Sequence, residues 1–491
     1  MTLRRALLAS LGLACGGEEP APAPPPSRFV QTVLDDSPGE PIGLSVLPDA
    51  RVLHTTRDGG VWLHDAVGGK SLAAQIAVYR HDEEGLQGIA IDPEFALNGW
   101  VYLYYSPPLD TVPDDPATEL DEGLAPDEGA PATWAAYRGQ MRLSRLRFDG
   151  STLDLQSEQI ILQVPVDRGL CCHIGGQIDF DAAGNLLLST GDDTNPFQSG
   201  GFTPIDERPE RNPAYDAQRS ASNTNDLRGK LLRIHVEADG TYTIPEGNLF
   251  PPDTSQTRAE IYLMGLRNPF RFAADRRRGV VYIADYSPDA RSPLDARGPA
   301  GTGKWTIVRG PANYGWPYCA TAELPYIDYD FASDESRAPF DCTAPVNDSP
   351  RNTGLTQLPP VTSPDVFYSF TPSVEFSELR NGGVAPMAGP AYVYDATNPS
   401  PTKWPEEFDG APVFYEWARD FIAAFHLAPD STLQRIELLA SEVFVDSPID
   451  LEFGPDGALY VLGYGDGYFR ANPDARLIRV DGVPTDVVSA E

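Results

Sequence analysis

The 491-residue sequence predicts an all-β protein, a six-bladed β-propeller with four-stranded antiparallel blades and long acidic loop inserts. Two observations support this prediction. A unit of two apolar runs joined by a turn rich in Asp, Pro, Asn or Gly recurs along the chain, as in a β-hairpin. Several of these units are followed by a further strand-like segment, and three or four strands repeated every several dozen residues are typical of propeller blades.

Five of the repeated units are regular, and they begin near Gly43, Gln87, Gly176, Phe270 and Pro448. A less regular stretch from about Ala388 to Ala440 contains AYVYD, APVFYEWARDFIAAFHL and LQRIELL, and it supplies the sixth blade. Acidic, proline-rich inserts span Pro108 to Pro131, about Phe197 to Asn225 and about Ile327 to Ser373. Inserts in a propeller emerge from the blade faces, where binding and catalytic sites are commonly built, although the first insert is interpreted as a solvated surface.

The N-terminal residues have the features of an export signal. Arg4 and Arg5 precede an apolar run that is too short to span a bilayer. Cys15 follows and resembles the lipobox cysteine of bacterial lipoproteins, although Gly12 stands where leucine is preferred. We therefore expect a signal peptide over residues 1–15, a proline-rich tether over 16–28 and one propeller over 29–484. The protein is expected to be exported, either periplasmic or anchored to the outer membrane by a lipid on Cys15; plain secretion is the alternative.

The charge and the cysteines restrict the environment of the protein. A formal net charge of -34 argues against binding nucleic acid, or a membrane surface, through broad electrostatics, so contact with a membrane is expected only through the lipid. Export implies an oxidising compartment, and four cysteines other than Cys15 allow three pairings. The simplest pairing joins Cys319 to Cys342 and Cys171 to Cys172; the alternative leaves the adjacent pair as thiols or pairs it differently.

Four segments carry a resemblance to a known family. They are EEGLQGIAIDPEFALNGWVYLYYS from Glu83, HIGGQIDFDAAGNLLLSTGDD from His173, LRGKLLRIHVEADGTYTIPEGNLF from Leu227 and EIYLMGLRNPFRF from Glu260. Together they resemble the soluble quinoprotein glucose dehydrogenase and sorbosone dehydrogenase family, and the resemblance runs from about Gly43 to Gly482. It implies a six-bladed propeller that uses pyrroloquinoline quinone (PQQ) with Ca²⁺.

Oxidation of a sugar hydroxyl or an aldehyde hydrate needs a base that takes the oxygen-bound proton, and histidine suits this role near neutral pH. The resemblance implies that His173 is the base and that Asp192 orients it. The alternative is a hydrogen-bonded loop histidine beside an aspartate that caps a turn. The vicinal cysteine pair would form a rigid turn directly before His173, and such constrained turns occur at functional sites.

The same resemblance implies a set of cofactor contacts. Gly175 and Gly176 lack side chains and allow a flat cofactor to approach the backbone. Arg267 and Asn268 match the family's cofactor-contacting pair, and Arg419 represents a basic cluster of a later blade. PQQ carries carboxylates, which arginine binds in bidentate fashion. The alternative is that Arg267 ties neighbouring blades together by salt bridges.

The family's calcium site maps onto Asp285, Tyr286 and Ser287, in an oxygen-rich loop of the kind that suits Ca²⁺. Three departures oppose cofactor binding, and the first is that Arg419 alone represents a lysine–arginine cluster of the family. Pro448 and Ile449 stand where glucose-oxidising members carry a basic pair, and Glu83 stands where the family has glutamine. Charge-assisted contacts contribute roughly 1.5–3 kcal/mol each, so losing two would weaken PQQ binding by orders of magnitude.

We therefore expect a PQQ-dependent oxidoreductase that oxidises an aldose or a sugar aldehyde and passes electrons to an external acceptor. Two alternatives stay open. One is a non-catalytic propeller that binds a glycan or a protein; the loss of basic residues expected to contact the cofactor favours this function. The other is a calcium-dependent lactonase or related hydrolase, which requires a ring of Asp, Asn and Glu around the central axis.

Overall fold

The computed structural model describes residues 27–65, 68–109, 124–439 and 442–483. Six blades of antiparallel strands form a ring, as predicted; five are four-stranded, and the sheet of the third has two short additional strands. The first strand of each blade contacts the first strand of the next blade, so these six inner strands enclose a central channel. The expected signal peptide, Cys15, most of the tether and most of the first insert lie outside the described residues.

Each of the first three blades begins at the channel and ends at the rim of the ring. The first blade comprises β2 Pro41–Val46, β3 Val52–Thr56, β4 Gly60–His64 and β5 Lys70–Gln75. The second comprises β6 Leu86–Ile91, β7 Trp100–Tyr105, β8 Arg138–Phe148 and β9 Leu153–Asp167. The third comprises β10 Gly175–Phe180, β11 Leu186–Thr190, β12 Lys230–Val236 and β14 Ile261–Met264, with short β13 Tyr242–Thr243 on β12 and β18 Ala312–Asn313 parallel to β14.

The remaining blades follow the same plan. The fourth comprises β15 Phe272–Asp275, β16 Val280–Asp285, β17 Gly303–Val308 and β23 Val366–Tyr368. The insert before β23 contains two short strand pairs. They are β19 Cys319–Thr321 with β20 Leu324–Pro325, and β21 Ile327–Asp330 with β22 Glu335–Pro339. The fifth, from the irregular stretch, comprises β24 Pro386–Ala391, β25 Pro412–Glu416, β26 Phe421–Leu427 and β27 Leu433–Leu438. The sixth comprises β28 Pro448–Phe453, β29 Leu459–Gly463, β30 Arg476–Gly482 and β1 Phe29–Asp35.

The helices of the described residues are single turns in loops. They are α1 Phe95–Asn98, α2 Pro131–Trp134 and the 3₁₀ turns Ala135–Tyr137, Pro213–Tyr215, Ala217–Arg219, Ser377–Leu379, Glu406–Phe408 and Trp417–Arg419. Within the described part of the chain, no helix has both the length and the apolar character needed to cross a bilayer.

Apolar side chains fill the spaces between blades and make the ring rigid. Trp305 of the fourth blade is fully buried; its ring centroid lies 5.7 Å from that of Tyr282 and 4.9 Å from that of Phe425 in the fifth blade. Burying an aromatic side chain of this size contributes roughly 1.5–3 kcal/mol, so each blade interface stabilises the arrangement of the inner strands.

The ring closes through pairing of the two ends of the described chain. β1 pairs antiparallel with β30, and Phe29 stands opposite Gly482. Arg28 reinforces this closure because its guanidinium lies 2.5 Å from the Glu442 carboxylate and 2.8 Å from that of Glu437.

Both disulfides of the simplest pairing are present. Cys171 is joined to Cys172, and Cys319 to Cys342 with their Cα atoms 6.1 Å apart. The second bond ties the start of the insert between β18 and β23 to its middle.

Candidate active site

A cavity of about 120 Å³ lies in the channel at the starting ends of the inner strands. Aromatic and apolar side chains form most of its wall: Ile42, Phe270, Tyr286, Trp417, Ile449, Tyr464, Tyr468 and Phe469. The polar lining consists of Glu40, Arg57, Glu83, Gln87 and Asn268. A larger cavity of about 490 Å³ opens at the other ends of the same strands, but none of the predicted site residues lines it. We therefore place the candidate site at the first cavity.

His173 and Asp192 form a hydrogen-bonded pair beside this cavity. His173 lies in the loop before β10, Asp192 follows β11, and the His173 Nδ1 is 2.7 Å from a carboxylate oxygen of Asp192. A carboxylate only accepts hydrogen bonds, so Nδ1 carries a proton; in the neutral form of the ring, Nε2 then has the lone pair. Nε2 has no hydrogen-bond partner among the described residues. This geometry would allow the imidazole to act as a base whose orientation the aspartate fixes.

Asp192 is itself held by two further donors. The Trp316 indole Nε1 donates to its second carboxylate oxygen at 2.6 Å, and the Thr194 backbone N–H donates to the first at 3.0 Å. Sequence reasoning missed Trp316, which lies 124 positions away; its only signal is the motif ANYGWPYC in an insert that folds back toward the axis.

Glu83 fixes the loop that carries His173. Its carboxylate accepts the backbone N–H groups of His173 at 2.7 Å and Ile174 at 3.3 Å, and the Asn268 side-chain amide lies 3.4 Å away. One of its carboxylate oxygens also lies within 4.8 Å of the sulfur atoms of Cys171 and Cys172. Because both sulfur atoms are in a disulfide, this group offers no thiolate to a metal. Glu83, whose negative charge is expected to oppose an anionic cofactor, therefore also holds the backbone of the His173 loop.

Arg267 is a buried cation that forms no ion pair with any of the described residues. Only 5% of its surface is exposed, and its guanidinium makes no hydrogen bond or ion pair with another described residue. The guanidinium carbon lies 5.8 Å from the Trp316 ring, and the Arg267 carbonyl accepts the Asp192 N–H at 2.8 Å, so this cation is next to the His173–Asp192 pair. An unpaired buried charge is destabilising, which makes this position suited to an anionic ligand.

Asp285 holds the backbone of the Arg267–Asn268 segment. Its carboxylate accepts the N–H of Arg267 at 3.1 Å and that of Asn268 at 2.8 Å. Burial raises the pKa of Asp285 above its ordinary value, although Lys304 and the two N–H groups offset part of this rise. Tyr286 lines the cavity, whereas the Ser287 hydroxyl donates to the Val384 carbonyl at 3.2 Å.

Gly175 and Gly176 have a packing role in the structure. A Cβ on Gly175 would lie 2.6 Å from the Gly191 nitrogen, and one on Gly176 would lie 2.6 Å from the Gln87 Cβ. Both have positive φ angles, 68° and 130°. Protein atoms, rather than space for a ligand, therefore explain why side chains are absent here.

Arg419 is not brought into the cavity. Its guanidinium donates to backbone carbonyls of the preceding loop, including Gly383 at 2.6 Å, Leu379 at 2.5 Å and Ser369 at 2.9 Å. The neighbouring Trp417 lines the cavity instead.

Ile449 lies in the cavity wall, at one of the two positions where glucose-oxidising members of the family carry a basic pair. Arg271 is fully buried and does not line the cavity; it donates to the Ile449 carbonyl at 2.9 Å, and the Asp450 carboxylate lies 3.3 Å away. Arg57, which sequence reasoning missed, lines the cavity but is paired with Glu40 at 2.6 Å. Among the described residues, the positive charge near the site that lacks an ion-pair partner is therefore that of Arg267, whose side chain is not part of the cavity wall.

Comparisons with known proteins agree with this architecture. The chain is 26% identical over 338 residues to the aldose sugar dehydrogenase YliI of Escherichia coli K12, covering 67% of this chain and 73% of that protein. The structure of the soluble aldose sugar dehydrogenase from Escherichia coli in its apo form superposes with a TM-score of 0.57 at 18% identity, covering 92% of this chain and 99% of that one.

The PQQ-bound aldose sugar dehydrogenase from Streptomyces coelicolor superposes with a TM-score of 0.53 at 17% identity, covering 93% of this chain and 99% of that one. At these identities the two structures support the fold alone. The family model described as Glucose / Sorbosone dehydrogenase matches residues 39–347, the part of the chain that contains the His173–Asp192 pair and Arg267. The chain belongs to the glucose/sorbosone dehydrogenase family.

Proposed function

We propose that this protein is a PQQ-dependent oxidoreductase that oxidises an aldose or a sugar aldehyde and passes the electrons to an external acceptor. The observation that carries the proposal is the oriented His173–Asp192 pair beside Arg267. Neither the His173 Nε2 nor the Arg267 guanidinium has a hydrogen-bond partner within the described residues. Family membership supports the same reaction class.

The residues present fit the cofactor. Arg267 would pair with one PQQ carboxylate, and the aromatic wall would contact its flat rings. When bound, PQQ supplies a quinone that accepts two electrons from the substrate. The cavity of about 120 Å³ is smaller than the roughly 300–1,000 Å³ of typical ligand sites, so residues of its wall would have to move to admit the ligand.

The chain itself supplies the proton chemistry. A substrate hydroxyl placed against His173 Nε2 loses its proton to that nitrogen as hydride leaves the carbon that bears the hydroxyl. Asp192 stabilises the resulting imidazolium through the Nδ1–H bond, and Trp316 keeps the carboxylate in position. Glu83 holds the His173 loop, so Nε2 keeps its orientation during the transfer.

Calcium is part of the proposal as a second bound group. Asp285, Tyr286 and Ser287 are the candidate ligands, but the Asp285 carboxylate and the Ser287 hydroxyl already form internal hydrogen bonds. Their backbone carbonyls therefore remain the candidate donors. Calcium removal with a chelator, followed by PQQ titration, tests this assignment: unchanged affinity would contradict it.

The central carboxylates give little support to a metal-dependent hydrolase. Glu83, Asp285 and Asp450 each accept backbone N–H groups, and Glu40 is paired with Arg57. A hydrolytic metal site needs such carboxylates free to act as ligands.

We also propose export with lipidation of Cys15, so that the folded ring is held at a membrane by the tether. Membrane fractionation of the full chain and of Cys15→Ser tests this point; equal distribution of the two would favour plain secretion.

Reconstitution tests the proposed oxidation. The mature chain, purified under oxidising conditions, is titrated with PQQ in excess Ca²⁺, and dye reduction is followed with a panel of aldoses. We expect saturable activity that is lost in His173→Ala and kept in His235→Ala, a histidine on β12 outside the cavity. Arg267→Ala should weaken PQQ binding by about 10- to 100-fold. Absence of PQQ binding by the wild-type chain would refute the proposal and favour the non-catalytic glycan- or protein-binding propeller.

A further inference from the structure

Asp193, the residue after the aspartate that orients His173, belongs to a buried ionic cluster. Only 5% of its surface is exposed. Its carboxylate lies 2.7 Å from the Arg228 guanidinium and 3.2 Å from that of Arg219, and it accepts the backbone N–H of Asp167 at 2.8 Å. The negative charge of Asp193 therefore has two cationic partners inside the protein, and these compensate for its removal from water.

The backbone of Asp193 contacts both members of the His173–Asp192 pair. Its N–H donates to the His173 carbonyl at 3.0 Å, and its chain neighbour is Asp192 itself. Its φ angle is 54°, in the left-handed region that residues other than glycine occupy at a cost in free energy. A shift of this backbone would therefore change the position of the Asp192 carboxylate relative to the His173 ring.

Arg219 holds the same segment through hydrogen bonds. Its guanidinium donates to the Asp193 carbonyl and, at 3.3 Å, to the Thr194 hydroxyl. The hydroxyl groups of Thr194 and Ser220 both donate to the Asp192 carbonyl, at 3.1 Å and 2.7 Å. These bonds fix the backbone that carries the Asp192 side chain.

The cluster joins the Asp192 loop to three other segments of the chain. Asp167 ends β9 of the second blade, Arg219 ends a single turn of the insert after β11, and Arg228 precedes β12. The two guanidinium groups lie 3.2 Å and 3.1 Å from the Asp167 carboxylate. Because its partners belong to the second blade and to the insert, Asp193 ties the loop to the ring.

We propose that Asp193 is a positioning residue for the proton transfer: with Arg219 and Arg228, it keeps the Asp192 carboxylate at hydrogen-bond distance from His173 Nδ1. The proposal rests on the proposed function, because it assigns Asp193 a part in that reaction. Asp193 does not line the central cavity, so it acts through Asp192 and not on the sugar or the cofactor. Misplacement of a catalytic group by about 1 Å can lower the rate by about 100-fold.

Kinetics of Asp193→Asn in the full chain test the proposal. Asparagine has nearly the same shape and also adopts positive φ angles, so the variant removes mainly the charge. Burial raises the pKa of Asp193 to about 7, although the two arginines offset part of this rise, so the assays are run at about pH 8.5, where the carboxylate is ionised. We expect kcat for dye reduction to fall by about 10- to 100-fold, while the sugar KM and the Kd for PQQ stay within about twofold.

Asp275→Asn is the matched control. Asp275 is also 5% exposed and lies 3.0 Å from the Arg278 guanidinium, but it is on β15 and does not line the central cavity. Both variants should unfold at lower urea concentration, since each leaves an arginine without that partner, but only Asp193→Asn should lose kcat. If Asp193→Asn does not fold, as judged by circular dichroism, Arg219→Lys replaces it, with the same expected loss of kcat.

Proton NMR without sugar or cofactor separates this proposal from the proposed function. The Nδ1–H resonance of His173, assigned by its absence in His173→Gln, reports the bond to Asp192. We expect it to shift or broaden in Asp193→Asn and to be unchanged in Asp275→Asn. An unchanged resonance, or a kcat within about twofold of wild type, overturns the proposal. If no sugar reduces the dye but the resonance changes as expected, the oxidation fails and the positioning role stands.

Discussion

Asp192→Asn changes the His173 pair with little change in shape. Asp192 accepts from His173 Nδ1 and the Thr194 N–H on one oxygen and from Trp316 Nε1 on the other. An asparagine has only one acceptor oxygen. If its amide NH₂ faces Trp316, two donors oppose each other; if it faces His173, Nδ1 must become an acceptor and Nε2 takes the proton.

The expected loss follows from the charge-assisted bond. A hydrogen bond to a charged group contributes about 1.5–3 kcal/mol, and each 1.36 kcal/mol in the barrier changes the rate tenfold. If the bond of 2.7 Å between His173 and Asp192 acts fully only when the imidazolium forms, kcat falls by about 10- to 150-fold. A variant fixed in the wrong tautomer loses more, because Nε2 then has no lone pair for the substrate proton.

Steady-state dye reduction at saturating sugar measures this loss, and PQQ titration checks that the cofactor site is kept. Asp409→Asn, an exposed aspartate paired with Arg277, is the matched control and should leave kcat unchanged. A kcat for Asp192→Asn within about twofold of wild type, with PQQ binding retained, would show that Asp192 does not support the base.

Three further perturbations have expected outcomes. Glu83→Gln removes a negative charge near the cofactor cavity, so we expect about tenfold tighter PQQ binding in a fluorescence titration; weaker binding would contradict this. Burial raises the pKa of Glu416 from 4.5 to about 7, so the folded protein holds this proton more tightly than the unfolded chain does. The resulting stability, on the order of 3 kcal/mol, is complete below about pH 4.5 and is lost as pH rises through 7. Melting curves of Glu416→Gln should not show this loss. If the melting temperatures of the variant and the wild type changed in the same way with pH, the expectation would be refuted. Replacing Cys319 and Cys342 by serine should lower the free energy of unfolding by about 3 kcal/mol in urea denaturation, whereas an unchanged midpoint would show that the loop is held by other contacts.

Local patterns in the sequence were sufficient for the blades and for part of the site. Hairpin units predict six sheets because strand alternation and turn residues are local signals. His173 and Asp192 flank the first hairpin of the third blade, so their proximity follows from the pairing of β10 with β11. The hairpin pattern and the proximity of His173 and Asp192 are both predictable because loops that join neighbouring strands of a ring have few alternative positions.

Other parts of the site depend on contacts between distant segments. The bond between Trp316 and Asp192 joins an insert of the fourth blade to the third, and no periodicity encodes such a contact. Arg419 has the right residue type, but the loop before β24 offers carbonyl oxygens that bind its guanidinium. The glycines before β10 are explained by backbone packing against Gly191 and Gln87, which composition alone does not distinguish from a ligand surface.

The pairing of β1 with β30 means that the ring closes only after both of these strands have been synthesised. In a nascent chain, Phe29 has no strand partner until Gly482 has been synthesised, so the chain presents an open arc with unpaired strand edges until then. Such an arc is prone to pair with other chains, and its closure involves the largest sequence separation in the fold. Circular permutation that places β1 directly after β30 should therefore speed refolding and reduce aggregation, without altering a single side chain of the site.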